Sequence, residues 1–317
     1  MKRNIYSYSK LWMIFFVLMG AACTNQVEDA IPVSGQPIGF SVQSDWKEIP
    51  NTRLLIDDNG TMKFTQGDKV QIFGFHKPYS GAVENVQFMY DVDHQNSGQI
   101  VTYDGNNSWN YTPKRFWPKY GLLDFYASYP CDSYNSIHYD VEKKKMTYEN
   151  NLTQDLLYGL ATDWNREKDP TVSIWMVHAL AKVRIILDNS LGDIGQVQVS
   201  GYKTGHFSPM SNNKGVPVWE IDDDKTPISV DFRKYEGKVD EELKNNNSVT
   251  VFILRDKIMG LKMWNSVGDE IDASDEIQKY TFEAGKVYNL TISKSNGVRK
   301  KNTNSRSIAM SVRCVSE

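Results

Sequence analysis

From Ile38 onward the chain is written in short alternations of apolar and polar residues. Ile38, Phe40 and Val42 alternate with Gly39, Ser41 and Gln43, which is the period of a strand with one buried face. Residues 54–56 and 62–64 flank Asp57-Asp58-Asn59-Gly60, the strongest hairpin turn in the chain. Further strands are expected at 70–75, 86–90, 98–103, 109–111 and 122–129, separated by Gly, Asn, Asp or Pro. Residues 172–187 are the most apolar run, long enough for two strands or for one bent near Ala179. Beyond it, 197–202, 228–232, 249–254 and 260–264 read as strands, and 280–282 with 287–292 read as a closing hairpin around Gly285. No amphipathic helix longer than two turns is legible; short helical pieces are expected near 152–158 and 236–244. Such spacing predicts β-sandwiches rather than an α/β layer fold.

The two ends of the chain break this grammar. Lys2, Arg3 and Lys10 precede an apolar run from Leu11 to Met19, and Gly20, Ala21 and Ala22 lead into Cys23. Nine apolar residues reach only about 14 Å as a helix, too short for the roughly 30 Å hydrocarbon core, so the segment reads as a cleaved targeting signal. Its end resembles the lipobox of bacterial lipoproteins, in which the cysteine is acylated, although Gly20 stands where that pattern prefers Leu. The plainer reading is an ordinary signal peptide cut near Ala22. Residues 23–36 are polar with Pro32 and Gly35 and read as a tether with little prospect of packing. Residues 162–171, charged and carrying Pro170, are the best linker, placing one sandwich at 37–165 and a second at 170–294. A hydrophilic spacer, 295–307, then delivers Ile308, Met310, Val312 and Cys314 in strand alternation, a pattern that wants a groove to lie in.

Composition narrows the function. The formal charge of −3 becomes −6 once the three positive charges of the signal segment are removed, and no broad basic surface points to nucleic acid. With Cys23 assigned to lipid, Cys131 and Cys314 support neither a disulfide framework nor a thiolate metal site. No two of the five histidines stand at metal-ligand spacing, and His178, inside the most apolar run, reads as a buried, hydrogen-bonded core residue. Asp222, Asp223 and Asp224 lack a calcium-loop pattern and read as a solvated turn. No nucleophile elbow or phosphate loop is present, so no catalytic residue, cofactor or metal is expected. Trp109, Trp117, Trp164, Trp219 and Trp264 could form a platform for stacking sugars, with core packing the stronger expectation.

An ordered set of motifs carries a resemblance. Cys23 in its lipobox is followed by Thr52-Arg53 before a strand and by FTQGDKVQIFGF at 64–75. Trp109, FWPKYGLLDFYASYP at 116–130, DLLYG at 155–159, VSIWMVHALAKVRIIL at 172–187 and FEAGKVYNLTIS at 282–293 complete it. Together they resemble the fimbrillins, lipoprotein subunits of type V pili, particularly the minor-fimbrillin-like group. The resemblance implies an all-β chain of two transthyretin-like sandwiches in tandem, exported as an outer-membrane lipoprotein through acylated Cys23. It also implies assembly by strand exchange. An arginine-specific extracellular protease would cut after Arg53, with Lys47 the weaker alternative, releasing the first strand with Ile38, Phe40 and Val42. A neighbouring subunit's strand would fill the groove. The terminal strand with Ile308, Met310, Val312 and Cys314 is the candidate donor. The expected partners are therefore other pilus subunits, membrane lipid and the protease. The competing expectation is a surface glycan-binding lipoprotein of a polysaccharide-uptake system.

Overall fold

Strand alternation becomes strand wherever the sequence shows it strongly. A computed structural model describes residues 31–44, 55–56, 62–80, 82, 86–131, 137–209, 216–221, 227–254, 256–294 and 310–316. In chain order the first half holds β1 (Val33–Pro37), β2 (Gly39–Ser44), β3 (Leu55–Ile56), β4 (Met62–Lys63), β5 (Lys69–Lys77), β6 (Val86–Met89) and β7 (Gln99–Tyr103). It continues with β8 (Trp109–Asn110), β9 (Phe116–Pro118), β10 (Leu122–Tyr129), β11 (Ile137–Asp140), β12 (Lys145–Glu149), β13 (Leu157–Trp164) and β14 (Thr171–His178). The second half holds β15 (Ala181–Leu187), β16 (Ile194–Tyr202), β17 (Thr204–Phe207), β18 (Glu220–Ile221) and β19 (Pro227–Arg233). Short helix α1 (Glu241–Asn246), β20 (Ser248–Ile253), β21 (Gly260–Asn265), β22 (Glu270–Asp272), α2 (Ser274–Ile277), β23 (Val287–Lys294) and β24 (Met310–Ser316) end it.

The N-terminal lobe is built on one large sheet, ordered β2-β14-β13-β10-β5-β7-β8, with β6 also on β5. Val70, Ile72, Phe125, Val172, Ile174 and Met176 pack on one of its faces. Phe73, Phe75, Tyr126 and Tyr158 lie on the other, which explains why β5 and β10 are buried at nearly every position rather than at alternate ones. The C-terminal lobe is a sandwich of two four-stranded sheets, β20-β15-β23-β24 and β19-β16-β21-β22, closed over Val183, Ile185, Val197, Val199, Leu261, Leu290 and Ile292. Helix α1 starts at Asp240, whose carboxylate accepts from the Leu243 N–H at 2.8 Å, and it falls within reach of the helical piece expected near 236–244.

A further sheet, β11-β12-β17-β18, takes two strands from each half of the chain. Its residues Ile137, Tyr139, Met146, Tyr148, Phe207 and Trp219 cover the second face of the large sheet, with Tyr139 on Phe75 at 4.7 Å and Phe207 on Tyr158 at 5.0 Å between centroids. The Trp219 indole N–H donates to the Ala179 carbonyl at 2.7 Å, and the Asn150 amide donates to the Phe252 carbonyl at 3.0 Å. The lobes are therefore welded through a shared core.

Four local expectations need correction. Residues 162–171 are no linker: they end β13 and begin β14, which pair antiparallel as a hairpin of the large sheet. Charge and Pro170 mark its exposed turn, and the crossing between lobes comes at Ala179-Leu180, where the long apolar run divides. The tether is folded in part, because β1 pairs with β9 and Ile31 is buried in the core. Main-chain pairing is blind to side-chain polarity, so a polar strand leaves no alternation to read. Residues 152–156 are not helical; the Asn151 carboxamide oxygen accepts from the Thr153 and Gln154 N–H groups, holding a turn before β13. Residues 280–282 make no hairpin, since Phe282 forms a single bridge to Asp256 and β23 runs parallel to β15.

One ionic triad, a buried Lys77–Asp124 pair joined by half-exposed Asp163, ties three strands of the large sheet. Lys77, at the end of β5, donates to Asp124 of β10 at 2.8 Å and to Asp163 of β13 at 2.7 Å. The Asp163 N–H in turn donates to Asp124 at 2.8 Å. Burial works against the Lys77 charge, but its hydrogen bonds to both carboxylates outweigh that and raise its pKa. The hydrogen bond from Lys77 holds the Asp163 carboxyl below the usual carboxylate range.

Candidate strand-exchange site

Residues 31–44 thread between two layers. β1 lies against β9, with Val33 opposite Pro118 and Pro37 opposite Phe116. At Ile38 the chain changes partner: its N–H donates to the Arg115 carbonyl at 2.9 Å, and its own carbonyl accepts the Tyr111 hydroxyl at 2.8 Å. The Gly39 N–H then donates to the Pro170 carbonyl at 3.2 Å, and β2 continues parallel to β14. Phe40 is opposite Val172 and Val42 opposite Ile174. Burial pushes the Tyr111 phenol up to about 12, so it remains a neutral donor at any physiological pH.

β2 ends the large sheet. Among the described strands it pairs with β14 alone, leaving its other edge outside any ladder. Its side chains nonetheless belong to the core, with Phe40 4% and Val42 5% exposed, as does Ile38 just before it at 2%. The Phe40 ring meets Phe125 edge-on at 5.4 Å and Tyr111 at 5.7 Å, and Trp117 packs behind Phe125 at 6.3 Å. Burying three such side chains contributes roughly 5–9 kcal/mol of gross apolar stabilisation. Lifting out residues 31–44 would uncover an apolar trough floored by Val172, Ile174, Met176, Phe125 and Tyr111 beside the unpaired edge of β14.

At the other end, β24 lies antiparallel on β23, at the edge of a C-terminal sheet. Its register sets Met310 opposite Lys294, Val312 opposite Ile292 and Cys314 opposite Leu290. Ile292 and Leu290 are fully buried, so the pairing follows the apolar period of the tail. The alternating tail thus already occupies an edge of its own chain. Ile308, Cys23, Lys47, Arg53 and Asp222 to Asp224 lie outside the described residues.

The chemistry sought elsewhere does not assemble among the described residues. His178 pairs with the Asp155 carboxylate, both deep in the core. No group of metal-ligating side chains forms among the described residues. Trp109, Trp117 and Trp219 are buried, and Trp164 and Trp264 are half-buried, so the five do not make a platform. Sequence reasoning missed Tyr111, Trp117 and Arg115 as partners of the first segment. Only the fold brings them to Ile38.

A family model described as fimbrillin-like matches residues 52–309, most of the chain. The chain belongs to the fimbrillin-like family. A search of curated protein sequences finds no match. Among solved structures, this fimbrillin-like chain is similar to a candidate cell adhesion protein of Bacteroides ovatus ATCC 8483, at 12% identity and TM-score 0.50 over 89% of this chain and 98% of that one. A candidate cell adhesion protein of Bacteroides uniformis ATCC 8492 is similar at 13% identity and TM-score 0.48, over 88% and 97%. The fimbrial anchor protein Mfa2 of Porphyromonas gingivalis is similar at 8% identity and TM-score 0.36, over 88% and 98%. The all-β fold is that of the family, and family membership makes this chain a pilus or adhesion subunit of the cell surface by class.

Proposed function

We propose that this fimbrillin-like chain is a structural or adhesive subunit of a type V pilus, assembled by proteolytic removal of its first segment and strand exchange. The observation that carries this reading is the position of β2: an edge strand with one ladder partner, whose Phe40 and Val42, with Ile38 just before it, fill the core of a lobe they enter from outside. Cleavage after Arg53 would leave β1 and β2 held only by non-covalent contacts. Their departure exposes backbone donors and acceptors of β14 and an apolar trough, a template for an incoming strand. The terminal segment with Ile308, Met310, Val312 and Cys314 is the donor, stored in part on β23 until a neighbour's groove opens. Cys23 anchors the precursor to outer-membrane lipid through its acyl chains, and an arginine-specific extracellular protease triggers assembly. Other subunits of the pilus are the lasting partners.

The test is limited digestion of the chain beginning at Cys23 with an arginine-specific protease, followed by denaturing electrophoresis without boiling. A product beginning at Leu54 together with a ladder of multimers is expected. Clean cleavage at Arg53 that leaves only monomers would remove strand exchange from the account.

A further inference from the structure

We propose that the solvent face of the N-terminal sheet around Trp175 is a binding site for neutral saccharides. Trp175 is 49% exposed on β14, pointing away from the core that Ile174 and Met176 enter. Register places it between Gln43 of β2 and Leu160 of β13. Next across the sheet from Leu160 stands Tyr126, fully buried beneath the shared sheet. Cover therefore runs out along this row: Tyr126 is enclosed, Leu160 half-covered, and Trp175 open. Among the described residues the other strongly exposed aromatic rings, Tyr79, Tyr120 and Tyr235, lie in loops, and the Tyr235 hydroxyl is committed to Asp193.

The surroundings of Trp175 select the ligand. Ser173 stands opposite Ser41 on the same face, Gln43 is exposed, and Thr162 follows Leu160 along β13. No Asp, Glu, Lys or Arg occurs along 39–44, 157–162 or 171–177. The exposed sheet face of the other lobe is an ordinary solvated one by contrast, with Lys262 paired to Glu270 and Gln198 to Asp231. A protein partner wants a broad contiguous apolar patch, and here the indole has only half-buried Leu160 and Val177 beside it, with Ser173, Gln43 and Thr162 interrupting the apolar surface. A charged polymer wants opposite charges, and these three strand segments carry none; charge enters only at their ends, at Asp163 and in the 166–169 turn. A sugar ring offers an apolar C–H face to an indole and, around its rim, hydroxyls that both donate and accept. Ser, Thr and Gln side chains answer those hydroxyls in both senses. Neutral partner chemistry matches a neutral face.

Ser41 and Gln43 leave with the first segment in strand exchange, so this face belongs to the uncleaved chain and is tested there; its failure leaves that assembly standing. The chain beginning at Cys23, with Trp175→Ala and Trp175→Phe, is applied to an array carrying neutral glycans terminated in mannose, glucose, galactose or fucose beside sialylated and sulfated ones. Sedimentation of the same samples reads self-association, and circular dichroism confirms that the variants fold. Expected are signals on neutral glycans, lost at least tenfold in Trp175→Ala and kept in part by Trp175→Phe. No neutral glycan bound, a preference for acidic glycans, signals indifferent to Trp175→Ala, or a dimer that Trp175→Ala dissolves would each overturn the proposal.

Discussion

The Tyr111 hydroxyl donates to the main-chain carbonyl of Ile38 at 2.8 Å, at the point where the first segment leaves one layer for another. Tyr111 also packs on Phe40, so one side chain holds both the backbone and the apolar anchor of the segment. Tyr111→Phe keeps the ring and removes the donor. Leaving a buried carbonyl short of its partner costs about 1–3 kcal/mol. In a chain of this size, at about 2–4 °C per kcal/mol, the melting temperature is expected to fall by about 2–12 °C. The larger effect is on assembly, where release of the cleaved segment and growth of the multimer ladder should both be faster than in the wild type. Unchanged rates with a lowered melting point would mean that Tyr111 stabilises the lobe without gating the segment.

Phe40→Ala tests the anchor itself. Truncating a buried Phe costs about 3–5 kcal/mol, from lost burial and from the cavity left against Phe125 and Tyr111. Denaturant unfolding of the uncleaved chain should show that loss. After cleavage the same variant should shed its first segment without help from a donor, seen as free peptide in gel filtration. An unfolding midpoint equal to wild type would place Phe40 outside the core.

These side chains also mark what the sequence makes legible. Ile38, Phe40 and Val42 announce a half-buried strand because burial of one face imposes period two. The partner of that strand is another matter. Alternation reports that a face is buried, not which strand lies alongside, and β2 finds β14 far along the chain through a parallel pairing no local turn dictates. β1 is invisible for the opposite reason: it meets β9 at Val33 and Pro37 with Ser34, Gly35 and Gln36 between them, and so presents no apolar alternation. The shared sheet is hidden for a third. β12 and β17 each look like an ordinary short strand, and only the large aromatics Tyr148, Phe207 and Trp219 hint that both sides need cover.

That shared sheet makes the halves interdependent. A fragment ending at Leu180 would lack β17, β18, Phe207 and Trp219, leaving Tyr148 and Tyr158 without the rings that cover them. Such a fragment is expected to bind a hydrophobic dye and to lack a cooperative thermal transition, whereas the whole chain unfolds in one. A fragment that melts sharply, with dispersed amide resonances, would show that the N-terminal lobe is self-sufficient.

Lys77→Met isolates the ionic triad. The Lys77 and Asp124 side chains are only 6% and 2% exposed, and removing one member of a buried pair costs about 3–5 kcal/mol because the other charge is left uncompensated. The wild type carries two pH signatures. The depressed Asp163 pKa gives stability fully present above the ordinary carboxylate value of 3.8 and lost as pH falls through the lower folded value. The raised Lys77 pKa gives stability present below the ordinary value of 10.5 and lost as pH rises through the higher folded value. In Lys77→Met the alkaline loss should vanish and the acid loss should shrink. Parallel stability-versus-pH curves for variant and wild type would mean that the triad is electrostatically silent.

The tail supplies the final test, because it occupies an edge before any neighbour arrives. Val312 stands opposite Ile292, which is fully buried, and Arg313 stands opposite Thr291. An Asp at 312 places a charge in register with an apolar row, whereas an Ala at 313 falls on the alternate face of the strand. Both variants should leave the uncleaved chain folded, since β24 closes an edge and not the centre of its sheet. After cleavage, Val312→Asp should yield monomers, while Arg313→Ala should give the wild-type ladder. Mixing separates donor from acceptor. Cleaved Val312→Asp still offers an open groove, so wild-type tails should fill it and cap the growing chains with variant subunits. A variant that polymerises like wild type would move the donor to another segment, and one that neither polymerises nor accepts wild-type tails would show that the substitution had closed its own groove.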